Sequence, residues 1–204
     1  EGAITDTTAS TYTINVQPVS ISTAALVLGD LTSGAISKTG EQDQFTFTLG
    51  NGALLDFDSL ANSSALTWTL TGPTGTVVSS RQLSNSDGAT FANPVVNVAA
   101  GEYTLTVDGI GNASGAYSFR LSDLATAAAL TPGTPVSGTF SPASETDLYR
   151  FSAAAGDRFY FDTQARAGSG TAIWRLIDPF GAVVFTANFN SLASDVETLT
   201  LNTA

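Results

Sequence analysis

The chain of 204 residues carries 18 acidic side chains against 7 basic ones, and it contains neither histidine nor cysteine. These absences remove whole reaction classes. Ser-His-Asp and Cys-His catalysis need an imidazole base, and typical zinc sites are built from histidine and cysteine. A serine–lysine pair would have to use Lys38, the single lysine, in the turn-like stretch Ser37-Lys38-Thr39-Gly40, and no Gly-x-Ser-x-Gly nucleophile elbow occurs. Carboxylate chemistry remains. Paired acids can hydrolyse glycosides, but no cleft signature accompanies them, and the chain reads as non-catalytic.

Four aspartates stand at matched places. Asp43 and Asp147 each precede an aromatic strand, and Asp58 and Asp162 each follow a strand phenylalanine. One reading makes them turn caps that accept backbone N–H bonds. The other makes them calcium ligands at inter-strand loops or at a junction between repeats. Asp56-Phe57-Asp58 turns two carboxylates to one strand face but supplies only two ligands, and neither the EF-hand loop nor the glycine-rich nonapeptide calcium repeat is present. No cofactor is required on this reading; calcium is the one candidate.

Aromatic side chains offer a second kind of site. Trp68 and Trp174 alternate with Leu70 and Leu176, which predicts burial rather than a sugar-stacking platform. Tyr160, Phe180, Phe185 and Phe189 occupy positions where the earlier half of the chain has Leu55 or Asp56, Thr74, Ser79 and Leu83. They are the candidate ligand surface, for carbohydrate or for a protein partner.

The elements that must position these residues occur twice. Trp68-Thr-Leu70-Thr-Gly-Pro73-Thr-Gly75-Thr-Val77-Val78 returns as Trp174-Arg-Leu176-Ile-Asp-Pro179-Phe-Gly181-Ala-Val183-Val184, identical at six of eleven positions and offset by 106 residues, from 68 to 174. Asp43-Gln-Phe45-Thr-Phe47 matches Asp147-Leu-Tyr149-Arg-Phe151, and Phe57-Asp58 matches Phe161-Asp162, both offset by 104 residues. A residue needed in both copies serves a shared fold more readily than a unique active site. Strands such as Phe45-Thr-Phe47-Thr-Leu49 and Tyr103-Thr-Leu105-Thr-Val107 alternate apolar with polar residues, and Gly-, Pro- and Asp-containing turns separate them. The prediction is all-β: tandem antiparallel β-sandwich domains, jelly-roll-like, of about 100 residues each.

The frame cuts across this repetition. Glu102–Val107 and Gly115–Leu121 have no counterparts after Ala204, whereas Ser10-Thr-Tyr12-Thr-Ile14-Asn-Val16 resembles Gly115-Ala-Tyr117-Ser-Phe119-Arg-Leu121. Residues 1–24 therefore read as the closing strand of a preceding repeat, 25–125 as a complete sandwich, and 126–204 as a second sandwich lacking its last strands. The frame reads either as a slice of a longer tandem array or as a subunit that donates a strand to another molecule, with Tyr12, Ile14 and Val16 the candidates for that donation. The alanine-rich stretches Ile21–Leu26 and Leu124–Pro132 read as linkers before each repeat.

The order of these motifs resembles the bacterial pre-peptidase C-terminal domain. The resemblance rests on the Asp-x-[Phe/Tyr]-x-Phe strand, Ala155-Gly156-Asp157 leading into Phe159-Tyr-Phe161, the strand ending Pro-x-Gly-x-Val-Val, Gly101-Glu-Tyr103-Thr-Leu105-Thr-Val107, and Gly115-Ala-Tyr117-Ser-Phe119. The first repeat departs from it with Leu49-Gly-Asn-Gly52 in place of the Ala-Gly-Asp turn. The resemblance implies a β-sandwich that is an accessory or structural module of secreted and surface proteins, associated with secretion, attachment or stalk formation.

Charge and composition narrow the partners. A net charge of −11 opposes binding to nucleic acid or anionic membranes, and no apolar run reaches the roughly 20 residues of a membrane helix. A cysteine-free, methionine-free chain with 43% hydrophobic residues fits a folded extracellular or bacterial cell-surface protein. The expected function is a structural repeat of a stalk, fibre or surface protein whose partners are neighbouring repeats or identical subunits. The alternative is a module that attaches to polysaccharide or extracellular matrix.

Overall fold

Alternation decides which side chains enter the core. In the computed structural model, which describes residues 3–168, 170–189 and 194–202, Phe45, Phe47 and Leu49 are buried while Thr46 and Thr48 between them are exposed. Tyr103, Leu105 and Val107 are likewise buried with half-buried Thr104 and Thr106 between them, as are Tyr117, Phe119 and Leu121 with half-buried Ser118 and Arg120. Nine strands result: β1 (Ile21–Ala25), β2 (Thr32–Ile36), β3 (Gln42–Leu49), β4 (Ala53–Ser59), β5 (Leu66–Gly72), β6 (Gly75–Gln82), β7 (Val95–Val98), β8 (Gly101–Gly109) and β9 (Gly115–Asp123). They form a five-stranded sheet, β1-β3-β8-β5-β6, and a four-stranded sheet, β2-β9-β4-β7. The expected β-sandwich is present.

The core lies between these sheets. Trp68 on β5 is fully buried, its ring stacked on Phe57 of β4 at 3.9 Å between centroids, and Phe57 in turn stacks on Phe119 of β9 at 4.9 Å. The indole N–H donates to Ser86 Oγ at 2.7 Å, so the one polar atom of Trp68 is satisfied inside the core. Each such ring contributes about 2–3 kcal/mol by leaving water.

The last two of these nine strands sit in the middle of the sheets. β8 lies between β3 and β5, and β9 between β2 and β4. Each carries a tyrosine over a glycine of a neighbouring strand. Tyr103 covers Gly72 and Tyr117 covers Gly34, so closely that a Cβ on either glycine would collide with the ring. These rings fill space that a side chain would otherwise occupy.

One part of the pairing is not antiparallel. β1 runs parallel to β3, in register from Ile21 opposite Gln42 to Ala25 opposite Thr46. The chain leaves β1 for the opposite sheet as β2 before it returns as β3, and this crossover makes a parallel edge pair accessible. Both presumed linkers take part in such pairs. Residues 21–25 are β1, so the boundary drawn at residue 24 falls inside a strand. After a short 3₁₀ turn at Leu124–Thr126, β10 (Ala128–Ala129) pairs in parallel with β11 (Tyr149–Arg150).

The remaining strands form ladders of two. β12 (Arg158–Phe161) pairs antiparallel with β15 (Val196–Thr200), and β13 (Ile173–Ile177) pairs antiparallel with β14 (Val183–Asn188). By the sequence offsets, β10-β11 corresponds to β1-β3, β13-β14 to β5-β6, and β12-β15 to β4-β7. Among the described residues, the pairings without counterparts are those that β8 and β9 make in the first half. Residues 136–140, the counterpart of β2, are exposed and belong to no strand. Among the described residues, no helix is long and apolar enough to cross a membrane.

Candidate functional site

The chemistry-bearing residues separate once folded. Ser37 and Lys38 lie in a turn whose backbone N–H groups donate to Glu41 Oε2 at 2.6 and 2.9 Å, a structural cap with Lys38 in solvent. Two surface concavities are a hollow of about 360 Å³ lined by Thr46, Thr48, Glu102 and Thr104, and one of about 290 Å³ lined by Ser59, Ser84, Asp87 and Ser144. Neither joins a nucleophile to a base.

The four aspartates occupy four unlike places. Asp43 is buried on β3 and accepts two hydroxyls, from Ser22 at 2.5 Å and Tyr117 at 2.7 Å. It therefore ties β1 to β3 and β3 to β9, across the two sheets, rather than capping a turn. Desolvation, together with this hydrogen bond, pushes the Tyr117 hydroxyl above its ordinary range. Asp58 accepts the backbone N–H of Thr146 at 3.2 Å and its hydroxyl at 3.3 Å, a link spanning 88 residues. Asp147 is exposed beside Gly138, and Asp162 is exposed and accepts from Gln164 at 2.9 Å. Among the described residues no cluster of three or more acidic groups could hold a metal ion.

Asp56 and Asp58 share one face of β4, as the alternation around Phe57 predicts, but that face is buried beneath the second half of the chain. Burial drives the Asp56 carboxyl up to about 7, the charge of Asp58 adds to the rise, and Arg175 opposes it. Asp58 is also raised by burial, with the Thr146 bonds working against the rise. Arg175 on β13 donates to the Phe91 carbonyl at 3.0 Å and to Thr186 Oγ1 at 3.0 Å. Asn93 donates to the Gly181 carbonyl at 3.0 Å, and a Cβ on Gly181 would meet Leu54 at 3.0 Å. Arg120 and Glu145 close the same side with an ion pair of 2.9 Å. These contacts seat the second half against the outer face of the four-stranded sheet.

Most of this seam was missed by sequence reasoning. The available signals were the Asp-Phe-Asp spacing on β4 and the exchange of Thr69 in one copy for Arg175 in the other. Arg120, Glu145, Thr146 and Asn93 carried no pattern of their own.

The aromatic candidates divide. Phe180 is 70% exposed and Tyr160 50% exposed, with the Tyr160 hydroxyl donating to Asp195 at 2.8 Å. Phe185 and Phe189 do not form a surface with them. Phe185 packs edge-on against Phe161 at 4.9 Å and Trp174 at 5.9 Å, and Phe189 lies 5.6 Å from Trp174, so both serve the packing of the second half. Trp174 itself keeps its buried indole N–H without an acceptor among the described residues, unlike Trp68. Tyr12, Ile14 and Val16 are 83%, 77% and 91% exposed and belong to no strand in this chain.

No protein-family model matches the chain, and no curated protein does. Among solved structures, it is similar to the periplasmic inhibitor of g-type lysozyme PliG of Salmonella Typhimurium, at 21% identity and a TM-score of 0.39 over 50% of this chain and 98% of that one. It is also similar to the pre-peptidase C-terminal domain of collagenase from Bacillus anthracis, at 19% identity and a TM-score of 0.33 over 52% of this chain and 99% of that one. PliG of Aeromonas hydrophila gives 13% identity and a TM-score of 0.36 over 52% and 99%.

Proposed function

We propose that this chain is a non-catalytic structural repeat of an extracellular bacterial stalk, fibre or surface protein, built from tandem β-sandwiches and joined head to tail by strands from residues 10–16. One observation carries this reading: the second half repeats three strand pairings of the first, β1-β3 as β10-β11, β4-β7 as β12-β15 and β5-β6 as β13-β14. A sheet edge without its neighbour exposes backbone donors and acceptors that another strand can satisfy. The lack of histidine and cysteine supports a role without catalysis, and the cysteine-free, strongly acidic composition suits a bacterial protein outside the cytoplasm.

The exposed Phe180 and Tyr160 favour a second reading, in which the chain is an accessory module that holds polysaccharide or matrix. Retention on insoluble polysaccharides separates the two. The structural reading expects the chain to pass through unretained, whether or not Phe180 is replaced by alanine. Retention that Phe180→Ala abolishes would overturn it in favour of the binding module.

A further inference from the structure

The two halves of the chain meet without sharing a core. Among the described residues, the apolar core runs from Leu26 to Leu121 and takes nothing from beyond the 3₁₀ turn at Leu124–Thr126. The seam is largely polar instead. Asp58 accepts from Thr146, Arg175 donates to the Phe91 carbonyl, Asn93 donates to the Gly181 carbonyl, and Arg120 pairs with Glu145. Polar contacts exchange for water at small net cost, so a seam of this kind parts more readily than an apolar one. Asp56 is the exception within it. This side chain is only 4% exposed, and its surroundings offer charge but no hydrogen bond. Facing it are Asp58 on its own strand, Asp87 in the loop before β7, and Arg175 on β13, while Arg120 on β9, paired with Glu145, faces Asp58. A buried carboxyl without a donor keeps its place best while it carries a proton.

We propose that the seam is an acid-closed joint: with Asp56 protonated the second half seats on β4, and ionisation of Asp56 releases it to swing about Leu124–Thr126 while the first sandwich stays intact. Such a joint goes beyond the structural-repeat reading and holds equally for a binding module. Linkage fixes its direction. Burial raises the Asp56 carboxyl from 3.8 to about 7 in the closed seam, whereas on an uncovered β4 it faces water and returns toward its ordinary value. The open form therefore gives up the proton first, and closure weakens as pH rises between those two values. Burial raises the Asp58 carboxyl too, against its bonds to Thr146, and so adds to the same trend. With Asp56 fully solvated on opening, the ratio of closed to open chains falls on the order of 1,000-fold between about pH 4 and pH 7.5. The hinge is a short segment at the end of an element, as hinges commonly are.

The chain has no native cysteine, so paired labels report the joint directly. Thr48→Cys on β3 and Ser152→Cys in the second half place one thiol on each side, both exposed and away from the seam contacts. With a nitroxide on each, the distance distribution between them is measured by pulsed electron spin resonance at pH 5 and pH 8. Hydrogen exchange at β8, corrected for the intrinsic effect of pH, reports the sandwich core in the same samples. The expected result is one narrow distance at pH 5 and a broader, longer-reaching distribution at pH 8, with β8 equally protected at both. Asp56→Asn is expected to keep the narrow distance at pH 8. Asp87→Asn removes one of the like charges, leaves an oxygen to cap Ala89, and is expected to reduce the broadening.

The same distribution at both pH values in the labelled chain overturns the proposal, whatever the variants do. So does broadening that persists undiminished in Asp56→Asn. If that variant does not fold, Asp87→Asn decides by the same comparison, and undiminished broadening there overturns the joint. Broadening accompanied by loss of β8 protection also overturns it, because the sandwich would then be unfolding rather than the seam opening.

Discussion

Asp56 is the residue whose protonation state matters most to the folded chain. Its carboxyl is buried between β4 and the second half, facing the charges of Asp58, Asp87 and Arg175, and burial raises its value from 3.8 to about 7. Below pH 4 both folded and unfolded chains carry the proton. Between about 4 and 7 the unfolded chain has lost it while the folded chain keeps it, so stability falls as pH rises through that window, by on the order of 4 kcal/mol in the limit of full coupling. The midpoint of urea unfolding is therefore expected to drop between pH 4.5 and 7.5. Asp56→Asn, which keeps the shape and removes the titration, is expected to flatten that slope and to be more stable than the unaltered chain at pH 7.5. A slope unchanged by the substitution would mean that Asp56 is solvated in solution. The Asp-Phe-Asp alternation made the shared face of the two carboxylates legible, but not what covers it. A long-range cover of Thr146 and Arg175 leaves no trace in local spacing.

At the scale of elements, the strands with strict alternation were readable from the sequence, and those without it were not. Phe45-Thr-Phe47-Thr-Leu49 and Tyr103-Thr-Leu105-Thr-Val107 place one apolar face in the core, and period two reports that directly. Ile21–Ala25 and Ala128–Ala129 are exposed along their length, so they have no burial pattern to read. They are strands because backbone bonds to β3 and β11 hold them, and an edge strand needs little from its side chains. Asp43 shows the same limit at a single position: its place before the aromatic strand was visible, whereas its hydroxyl partners Ser22 and Tyr117 are distant in sequence. The two halves also differ in how their ladders are supported. β3, β4 and β5 each have two partners, while their counterparts β11, β12 and β13 have one partner each among the described residues. Hydrogen exchange of the dilute chain is expected to be slowest at β3, β5, β8 and β9 and much faster throughout β10–β15. Equal protection in the two halves would contradict this division.

For the whole molecule, repetition organises both the fold and the proposed role. One sandwich is closed, and a second set of strands repeats three of its pairings, against a face sealed by Asp58, Asp56 and the Arg120–Glu145 pair. Tyr12, Ile14 and Val16 lie exposed with the same alternation as Tyr117, Phe119 and Leu121 of β9. The proposed joining of copies through residues 10–16 is head to tail, and head-to-tail joining produces open linear assemblies rather than closed dimers. Light scattering of the purified 204-residue chain over a range of concentrations, with negative-stain imaging of the same samples, tests this most directly. The account predicts linear particles that lengthen with concentration and revert to monomers when residues 1–16 are removed. A single particle of 20.9 kDa at every concentration would contradict it.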